Sequence, residues 1–210
     1  MKVLDLGCGN AATLKKRAAE FAGYDLYGVD IDAAALNAAA QVMPEAHFQR
    51  AAAENLPFPD AMFDLVISGV AIPYMDIPRA FLEVARVSTD SALFEFTYHP
   101  LQLVWRYFVA SVIRGTPKAA IFYAYALVNG VFFFATGRVF PFFYNARFES
   151  FQTVRGLRIA LKRAGFVIVR ARGGSGRPGD GPMIIAAKAL SLMPLSPHSS
   201  SAPHHLAGSG

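Results

Sequence analysis

Residues 3–9 read VLDLGCG, a run of apolar residues that ends in two glycines separated by a cysteine. The apolar part predicts a buried strand over Lys2–Leu6, and the glycines predict a tight turn where the backbone can approach a ligand closely. A helix after such a turn offers its free N–H groups to that ligand. Asp5 lies inside the strand, and its negative charge favours a cationic ligand over a pyrophosphate. The stretch therefore predicts a ligand-binding β–turn–α unit.

Short apolar runs and helical patterns alternate through the first hundred residues, as in βαβ units. Further strands are predicted at Leu26–Val29, Ala46–Arg50, Asp64–Ser68 and Ala92–Tyr98. Helices are predicted over Ala11–Ala22 with Asn10 as its N-cap, over Ala33–Val42 capped by Asp32, and over Asp76–Val87. After an aromatic-rich stretch, the pattern resumes with a helix over Gln152–Ala164 and a hairpin of Phe166–Arg172 and Met183–Lys188, joined by the turn Gly173–Gly181. The Ser/Pro/His-rich tail, residues 190–210, is expected to be disordered.

The composition is apolar for a chain of 210 residues, with 54% hydrophobic and 17% charged side chains. A single cysteine, Cys8, excludes a disulfide framework and a cysteine-based zinc site; no metal is expected. Charge is distributed unevenly, because residues 1–100 carry a balance of −6 and residues 101–210 a balance of +11. A basic and apolar second half suggests an anionic partner surface, either a membrane or a nucleic acid, or simply a solvated basic face.

A second polar signal comes at the end of the second predicted strand, where residues 27–30 read YGVD. Asp30 lies 21 residues beyond Gly9, and a carboxylate at this place can accept hydrogen bonds from both hydroxyls of a ribose. Asp32 supplies the cap of the next helix more naturally than Asp30 does. The spacing therefore predicts a nucleoside-binding role for Asp30.

Five ordered motifs give the sequence a family resemblance: DLGCG at 5–9, GVD at 28–30, AENLPFP at 53–59, FDLV at 63–66 and EVARV at 83–87. Together they resemble class I S-adenosylmethionine-dependent methyltransferases. Within that family they are most similar to the small-molecule, methyltransferase type 11-like branch, which includes quinone-biosynthesis C-methyltransferases. Residues 153–166 resemble the family's helix before strand six. The resemblance implies an α/β, Rossmann-like sheet of seven strands in the order 3-2-1-4-5-7-6, with strand 7 antiparallel. The domain would span residues 1–188, with a helical hydrophobic insertion at 101–148 between strands 5 and 6.

The resemblance also implies a cofactor, S-adenosyl-L-methionine, and a set of positions around it. Gly7 and Gly9 would lie against its methionine portion, with Asp5 nearby and Cys8 within the turn as a packing residue. Asp30 would bind the ribose hydroxyls and Ile31 would pack on the adenine. Ala53 and Glu54 would lie at the adenine edge, and Ser68 near the sulfonium.

The sequence departs from the family pattern in three places. Ala11 replaces the usual third glycine, a change expected to be tolerated. Ala52 replaces the usual aspartate before the Ala-Glu pair, so one adenine hydrogen bond would be missing. The sequence starts at strand one, without the preceding helices that help to close the pocket. Weaker cofactor binding and an incomplete N-terminus are two alternative interpretations of these departures, and a degenerate, non-catalytic member that binds a membrane or a partner stays a third.

Methyl transfer from a sulfonium needs chiefly in-line positioning in a dry pocket, and a base only if the acceptor must lose a proton. Tyr74, Asp76 and His99 lie near the ends of strands four and five. Asp76 is interpreted as a helix N-cap, which leaves Tyr74 and His99 as the catalytic candidates, each with packing or a loop position as the alternative. The sequence does not name a base among them.

The insertion, residues 101–148, is expected to determine substrate choice. Ala119–Gly137 is a run of 19 uncharged residues, long enough for a membrane span. A single span conflicts with strands five and six in one sheet, so two interpretations remain: a buried lid over a lipophilic acceptor, or a hairpin in the membrane interface with its arginines near anionic headgroups. Both predict a lipophilic acceptor such as a quinone, polyketide or lipid precursor. The expected location is the cytoplasm, or the inner face of its membrane.

Two other enzyme classes are less consistent with the sequence. An RNA or other nucleic-acid methyltransferase would explain the basic half, but residues 68–71 read SGVA rather than the Asn/Asp-Pro-Pro-aromatic run that holds a flipped amino base. The aromatic residues of the insertion also lie in apolar runs rather than among interleaved charges. An NAD-dependent oxidoreductase conflicts with Asp5 and with the terminal hairpin.

Overall fold

The computed structural model describes residues 1–173 and 182–189 and shows one seven-stranded sheet. The strand order is β3-β2-β1-β4-β5-β7-β6; β1 to β5 run parallel, and β7 is antiparallel to both of its neighbours. The strands are β1 (Lys2–Leu6), β2 (Asp25–Asp30), β3 (His47–Arg50), β4 (Phe63–Ser68), β5 (Ser88–Thr97), β6 (Phe166–Arg172) and β7 (Met183–Lys188). The predicted order and the antiparallel seventh strand are confirmed.

Within the described part of the chain, six helices and one short 3-10 turn, Ile72–Tyr74, accompany the sheet. The helices are α1 (Ala12–Lys16), α2 (Ala33–Val42), α3 (Ile77–Val87), α4 (Leu101–Ile113), α5 (Pro117–Thr136) and α6 (Val154–Arg163). Asp32 and Asp76 cap α2 and α3 through side-chain acceptance of backbone N–H groups, as their positions predict. The predicted tail, 190–210, and most of the Gly173–Gly181 turn lie outside the described residues.

Two apolar clusters cover the two faces of the sheet. Val3 packs with the helices α1 and α2, whereas its neighbour Leu4 packs with α3 and α6. Successive strand residues point to opposite faces, so a strand buried on both faces is apolar at every position except where function intervenes. In β1 the exception is Asp5, which is fully buried.

The first helix is shorter than the predicted Ala11–Ala22, and Asn10 is not its cap. Ala11 precedes α1 in the left-handed region, with φ of 62°, and the helix ends at Lys16. Arg17 leaves the helical conformation, and its guanidinium reaches across to Glu95 on β5 with N–O distances of 2.8 and 3.3 Å. A tertiary ion pair thus overrides the helix propensity of the alanine-rich segment that follows.

The insertion forms an antiparallel pair of helices, α4 and α5, that leaves the sheet after β5 and returns before α6. Of the residues described, only α5 is long and apolar enough to cross a membrane, and 22% of its most apolar 18-residue window is buried. The buried stripe includes Asn129 and Phe133, and Phe133 joins the main core cluster. Most of the hairpin's apolar surface is therefore exposed, in contrast to the buried-lid interpretation.

Candidate active site

The β1–α1 turn is fixed against the end of β2. The backbone N–H groups of Gly7 and Cys8 both donate to the carbonyl oxygen of Val29, at 2.8 and 3.0 Å. Gly7 and Gly9 have φ of 71° and 52°, and a Cβ on Gly7 would collide with Ala71. Both positions therefore need glycine or a strained backbone. The predicted close-approach turn is present at the carboxyl edge of the sheet, where open α/β sheets bind their ligands.

Ala11 occupies the third position of this turn in the same left-handed region. An alanine there costs about 1–2 kcal/mol relative to a conformation with negative φ. The fully buried methyl group of Ala11 packs in the cluster with Leu14. The fold therefore accommodates alanine at position 11, as expected, although the backbone there is strained.

Asp30 joins the turn to the end of β2. Its Oδ2 accepts from the backbone N–H of Gly9 at 2.8 Å, and its Oδ1 accepts from the N–H of Asp32 at 2.9 Å. Each carboxylate oxygen can accept a further bond, and the side chain is partly exposed, so two outward lone pairs remain for ligand hydroxyls. Ile31 beside it is 67% exposed, which leaves an apolar surface at the position that the resemblance assigns to adenine.

Asp5 is the most unusual group at this edge. Both of its carboxylate oxygens are buried without a hydrogen-bond partner among the residues described. Desolvation, and then the nearby charge of Asp30, raise the pKa of Asp5 to about 7, whereas Arg17 lowers it. An ionised carboxylate without a donor is costly in such surroundings. The site therefore fits a ligand that brings a cationic donor, such as the ammonium group of an amino acid.

Cys8 and Ser68 are buried between these groups. Ser68 donates from Oγ to the carbonyl oxygen of Leu6 at 2.9 Å and so ties the ends of β4 and β1 together. Burial, followed by the charges of Asp5 and Asp30, raises the pKa of the Cys8 thiol to about 12, so it stays protonated near neutral pH. A buried, protonated thiol is a weak nucleophile, and the packing role of Cys8 stays a prediction.

Residues 51–60 form the loop beyond β3 that carries Ala53 and Glu54. Glu54 accepts from the backbone N–H of Asp76 through Oε1 at 2.6 Å, and Ala53 packs at the edge of the main core cluster. Ala52 is exposed. Glu54 therefore attaches this loop to the start of α3.

Arg86 on α3, which sequence reasoning missed, holds the same loop. Its guanidinium donates to the carbonyl oxygens of Leu56 and Phe58 at 2.9 and 2.8 Å and to the carboxylates of Asp60 and Glu83. Glu83 in turn accepts from the N–H of Leu56 at 2.8 Å. The nearby guanidinium holds the pKa of Glu83 below its usual range. The motif at 83–87 thus carries the anchor of the loop at 53–59.

The two catalytic candidates lie together on the other side of the turn. The rings of Tyr74 and His99 are in edge-to-face contact, with centroids 5.6 Å apart. Nδ1 of His99 lies 3.3 Å from Oε1 of Glu149, which sequence reasoning missed. Desolvation, and then the charge of Glu149, raise the pKa of Tyr74 to about 12, although 55% of the residue's surface is exposed. The only sequence signal for Glu149 is that it is the lone acid between residues 101 and 173.

A surface depression of about 650 Å³ lies at the opposite edge of the sheet from the glycine turn, Asp30 and His99. It is lined by Lys2, Asp25 and Asp64, at the amino ends of β1, β2 and β4, together with Phe58 and neighbouring residues. Ligands of open α/β sheets bind outside the carboxyl ends of the strands, so this depression is not the candidate active site.

Comparison with known proteins identifies a methyltransferase domain over residues 3–90. No curated protein sequence matches the chain. Among solved structures, a protein of Pyrococcus horikoshii OT3 is 20% identical, with a TM-score of 0.61 over 89% of this chain and 81% of that one. An S-adenosylmethionine-dependent methyltransferase from Methanosarcina mazei is also 20% identical, with a TM-score of 0.58 over 89% and 92%. The CMeT domain of the citrinin polyketide synthase is 16% identical, with a TM-score of 0.62 over 90% and 46%. These structures share the fold of the chain.

Proposed function

We propose that the chain is an S-adenosylmethionine-dependent methyltransferase of class I, in line with the methyltransferase domain matched at residues 3–90, and that its acceptor is a lipophilic small molecule. The proposal rests on the α4–α5 hairpin. The hairpin follows β5 directly at the carboxyl edge of the sheet, the edge that holds the glycine turn and Asp30. A hairpin in this position borders the acceptor side of the site.

The residues at the edge of the sheet fit the cofactor. Asp5 offers a buried carboxylate without a partner in the described part of the chain, which suits the cofactor's ammonium group. Asp30 keeps acceptor capacity for two ribose hydroxyls, and Ile31 offers an exposed apolar side chain for the adenine. When bound, S-adenosylmethionine supplies a methyl group that is already activated by the sulfonium. The protein's remaining task is to hold the acceptor in line and keep water away.

The surface of the hairpin supports an apolar acceptor. Exposed apolar side chains on α4 and α5 include Trp105, Ile113, Val128, Val131, Phe132 and Phe134, and Phe143 and Tyr144 follow in the segment after α5. Isolated exposed apolar residues are common, but a continuous set on one hairpin marks an apolar ligand or a membrane surface. One structure with the same fold is the CMeT domain of the citrinin polyketide synthase. Polyketides are one of the acceptor classes proposed for this chain.

We further propose that the hairpin contacts the surface of an anionic membrane, from which the acceptor would be collected. Exposed basic residues accompany the apolar ones at Arg106, Arg114, Lys118, Arg138 and Arg147. If α5 crossed the membrane, α4 would have to cross it as well, because β5 and β6 lie in one sheet on the same side. At thirteen residues α4 is about 20 Å long, short of the roughly 30 Å hydrocarbon core. An interfacial position suits both helices better.

Two measurements test the proposed function. Calorimetric titration with S-adenosylhomocysteine, with NADH as the control, should show binding of the first ligand alone. Transfer of labelled methyl from S-adenosylmethionine should then occur to prenylated hydroquinones or long-chain β-ketoesters and not to bulk tRNA. Transfer to tRNA alone would contradict the lipophilic acceptor. Absence of binding would favour the non-catalytic alternative, for which the exposed Ala52 is the structural argument.

A further inference from the structure

His99 and Glu149 form a pair that is nearly closed to solvent. Nδ1 of His99 and Oε1 of Glu149 are 3.3 Å apart, and the side chains are 12% and 6% exposed. Nε2 of His99 has no hydrogen-bond partner within residues 1–173 and 182–189. A histidine with a carboxylate at one ring nitrogen is held in a single tautomer, with its other nitrogen available as a proton acceptor.

The backbone holds both members of the pair in place. The N–H of His99 donates to Oε1 of Gln152 at 2.8 Å, and the N–H of Gln152 donates to the carbonyl oxygen of His99 at 2.7 Å. The carbonyl oxygen of Glu149 accepts from Nδ2 of Asn129 on α5 at 2.9 Å. Because the strand end and the hairpin are fixed to each other, the ring of His99 has a defined orientation, which a general base requires.

The pair lies at the edge of the sheet where methyl transfer is expected. His99 follows the last residue of β5 by two positions, and β5 lies beside β4, with Phe96 paired to Ser68. Ser68 is bonded to Leu6, at the start of the glycine turn. The strand that leads to His99 is therefore two strand spacings, roughly 10 Å, from the strand that leads to the turn that would hold the methyl donor, and His99 lies three residues beyond Phe96.

The surroundings of the pair suit a neutral hydroxyl-bearing ring. Tyr74 packs on the ring of His99. Tyr107 and Tyr123 lie close enough to Tyr74 to raise its pKa, and Glu149 raises the pKa of both Tyr74 and Tyr123. Burial raises the pKa of Glu149 itself, and contact with His99 opposes this. The raised pKa values keep Tyr74 and Tyr123 protonated at neutral pH, which leaves His99 as the ring in this cluster that can take a proton.

We propose that His99, oriented by Glu149, accepts the proton of an ionisable hydroxyl on the acceptor, which makes the acceptor a lipophilic phenol or enol. This inference rests on the proposed function and adds the identity of the group on the acceptor that is methylated, a hydroxyl. The O–H bond breaks and its proton moves to Nε2 of His99, while the freed oxygen pair forms the O–CH3 bond. The broken S–CH3 bond leaves its electron pair on sulfur, as a neutral thioether. Glu149 stabilises the resulting imidazolium and acts as a positioning residue.

The first test compares two acceptors in steady-state kinetics. One is 4-nonylphenol, whose hydroxyl is protonated at neutral pH, and the other is an alkylated dinitrophenol, which is already ionised. His99→Gln should lower kcat about 100-fold or more for the nonylphenol and by less than about threefold for the ionised phenol, since general bases contribute roughly 10²–10⁴. Glu149→Gln should show the same pattern with a smaller loss. His47→Gln, on the exposed strand β3, is the control and should leave kcat unchanged.

Equal losses with both acceptors in His99→Gln would overturn the proposal, because a packing role does not depend on whether the acceptor is ionised. An unchanged kcat in His99→Gln would overturn it as well, while leaving methyl transfer to lipophilic molecules intact. Affinity for S-adenosylhomocysteine should be unchanged in all variants.

A second test needs no turnover. ¹⁵N NMR of the His99 ring in the cofactor-free protein should show the Nδ1–H tautomer, and Glu149→Leu should shift the ring towards Nε2–H. An identical tautomer in both proteins would overturn the orienting role of Glu149, even if no lipophilic acceptor is methylated. Failure of methylation with the expected tautomer shift would instead contradict the proposed function.

Discussion

The backbone N–H of Gly9 donates to Oδ2 of Asp30 across 2.8 Å, so the turn after β1 and the end of β2 are joined by one carboxylate. The same side chain accepts from the N–H of Asp32 through Oδ1. A residue expected to bind ligand hydroxyls therefore also builds the site before the ligand arrives. Asp30 therefore contributes both to the shape of this edge and to its expected affinity for the ligand.

Replacement of Asp30 should weaken cofactor binding. Asp30→Ala removes the acceptors for the ribose and the bond to Gly9, and we expect at least a tenfold loss of affinity for S-adenosylhomocysteine, about 1.4 kcal/mol or more. Isothermal titration calorimetry measures this directly. Asp25→Ala, an exposed aspartate at the other end of the same strand, is the matched control and should bind normally. Unchanged affinity in Asp30→Ala would remove Asp30 from the site.

Asp5 should make the stability of the cofactor-free protein depend on pH. Its pKa in the folded protein, about 7, lies above the ordinary 3.8, so folding favours the protonated form. The stabilising contribution is complete below about pH 4 and is lost as the pH rises towards 7, in total about 4 kcal/mol. Urea unfolding should show that the difference in stability between wild type and Asp5→Asn shifts in favour of the variant between pH 5 and pH 8.

The same measurement with S-adenosylmethionine present tests the proposed partner of Asp5. A bound ammonium group would compensate the ionised carboxylate, so saturating cofactor should stabilise the wild type more at pH 8 than Asp5→Asn. If the difference in the free energy of unfolding between wild type and Asp5→Asn did not vary with pH, either with or without cofactor, the proposed ionisation of Asp5 and its pairing with an ammonium group would be contradicted.

Arg86 should contribute to stability through the loop at residues 51–60. Arg86→Leu leaves two backbone carbonyls and the carboxylate of Glu83 without their donor, and we expect a loss of roughly 2 kcal/mol, reduced from a fully buried case by partial exposure. Urea unfolding measures the loss. Arg79→Leu on the same helix is the control and should change stability by less than about 0.5 kcal/mol, because its side chain is exposed. Equal effects of the two substitutions would show that the contacts of Arg86 do not matter.

The hairpin should bind anionic membranes. We expect the protein to float with phosphatidylglycerol-containing liposomes at low salt and less at high salt. Arg114→Gln combined with Lys118→Gln, two exposed residues at the end of α4 and in the first turn of α5, should weaken binding roughly 30-fold, at about 1 kcal/mol per charge. Lys15→Gln combined with Lys16→Gln on α1 is the matched control. Equal recovery with neutral liposomes would exclude the electrostatic component.

The sheet was predictable from the sequence because each strand follows from local apolar patterning. The bounds of β1, β6 and β7 agree with the predicted ones, and β2 differs by one residue at each end. The extent of α1 was not predictable, because Arg17 leaves the helix for a partner 78 residues away, on β5. Local propensity carries no information about such a contact.

Part of the candidate site was also predictable from the sequence. Gly7, Gly9 and Asp30 belong to two motifs that have a fixed spacing along the chain. Their proximity in the fold could therefore be predicted from the sequence. His99 and Glu149 are 50 positions apart in the sequence, and their contact depends on the path of the chain between them, which no local pattern specifies. The missing partner of Asp5 is likewise visible only once every neighbouring donor has been placed.

The paired hydrogen bonds between His99 and Gln152 have an evolutionary consequence. They bring the two ends of a 53-residue stretch side by side, so α4 and α5 are attached to the domain as an insertion is, through adjacent termini. The entropy of closing such a stretch changes by only about 0.6 kcal/mol when its length is halved or doubled. Selection could therefore exchange this segment for a longer, shorter or more polar one while the sheet and its nucleoside-binding edge stay in place. The inserted segment could then diverge faster than the sheet that carries it.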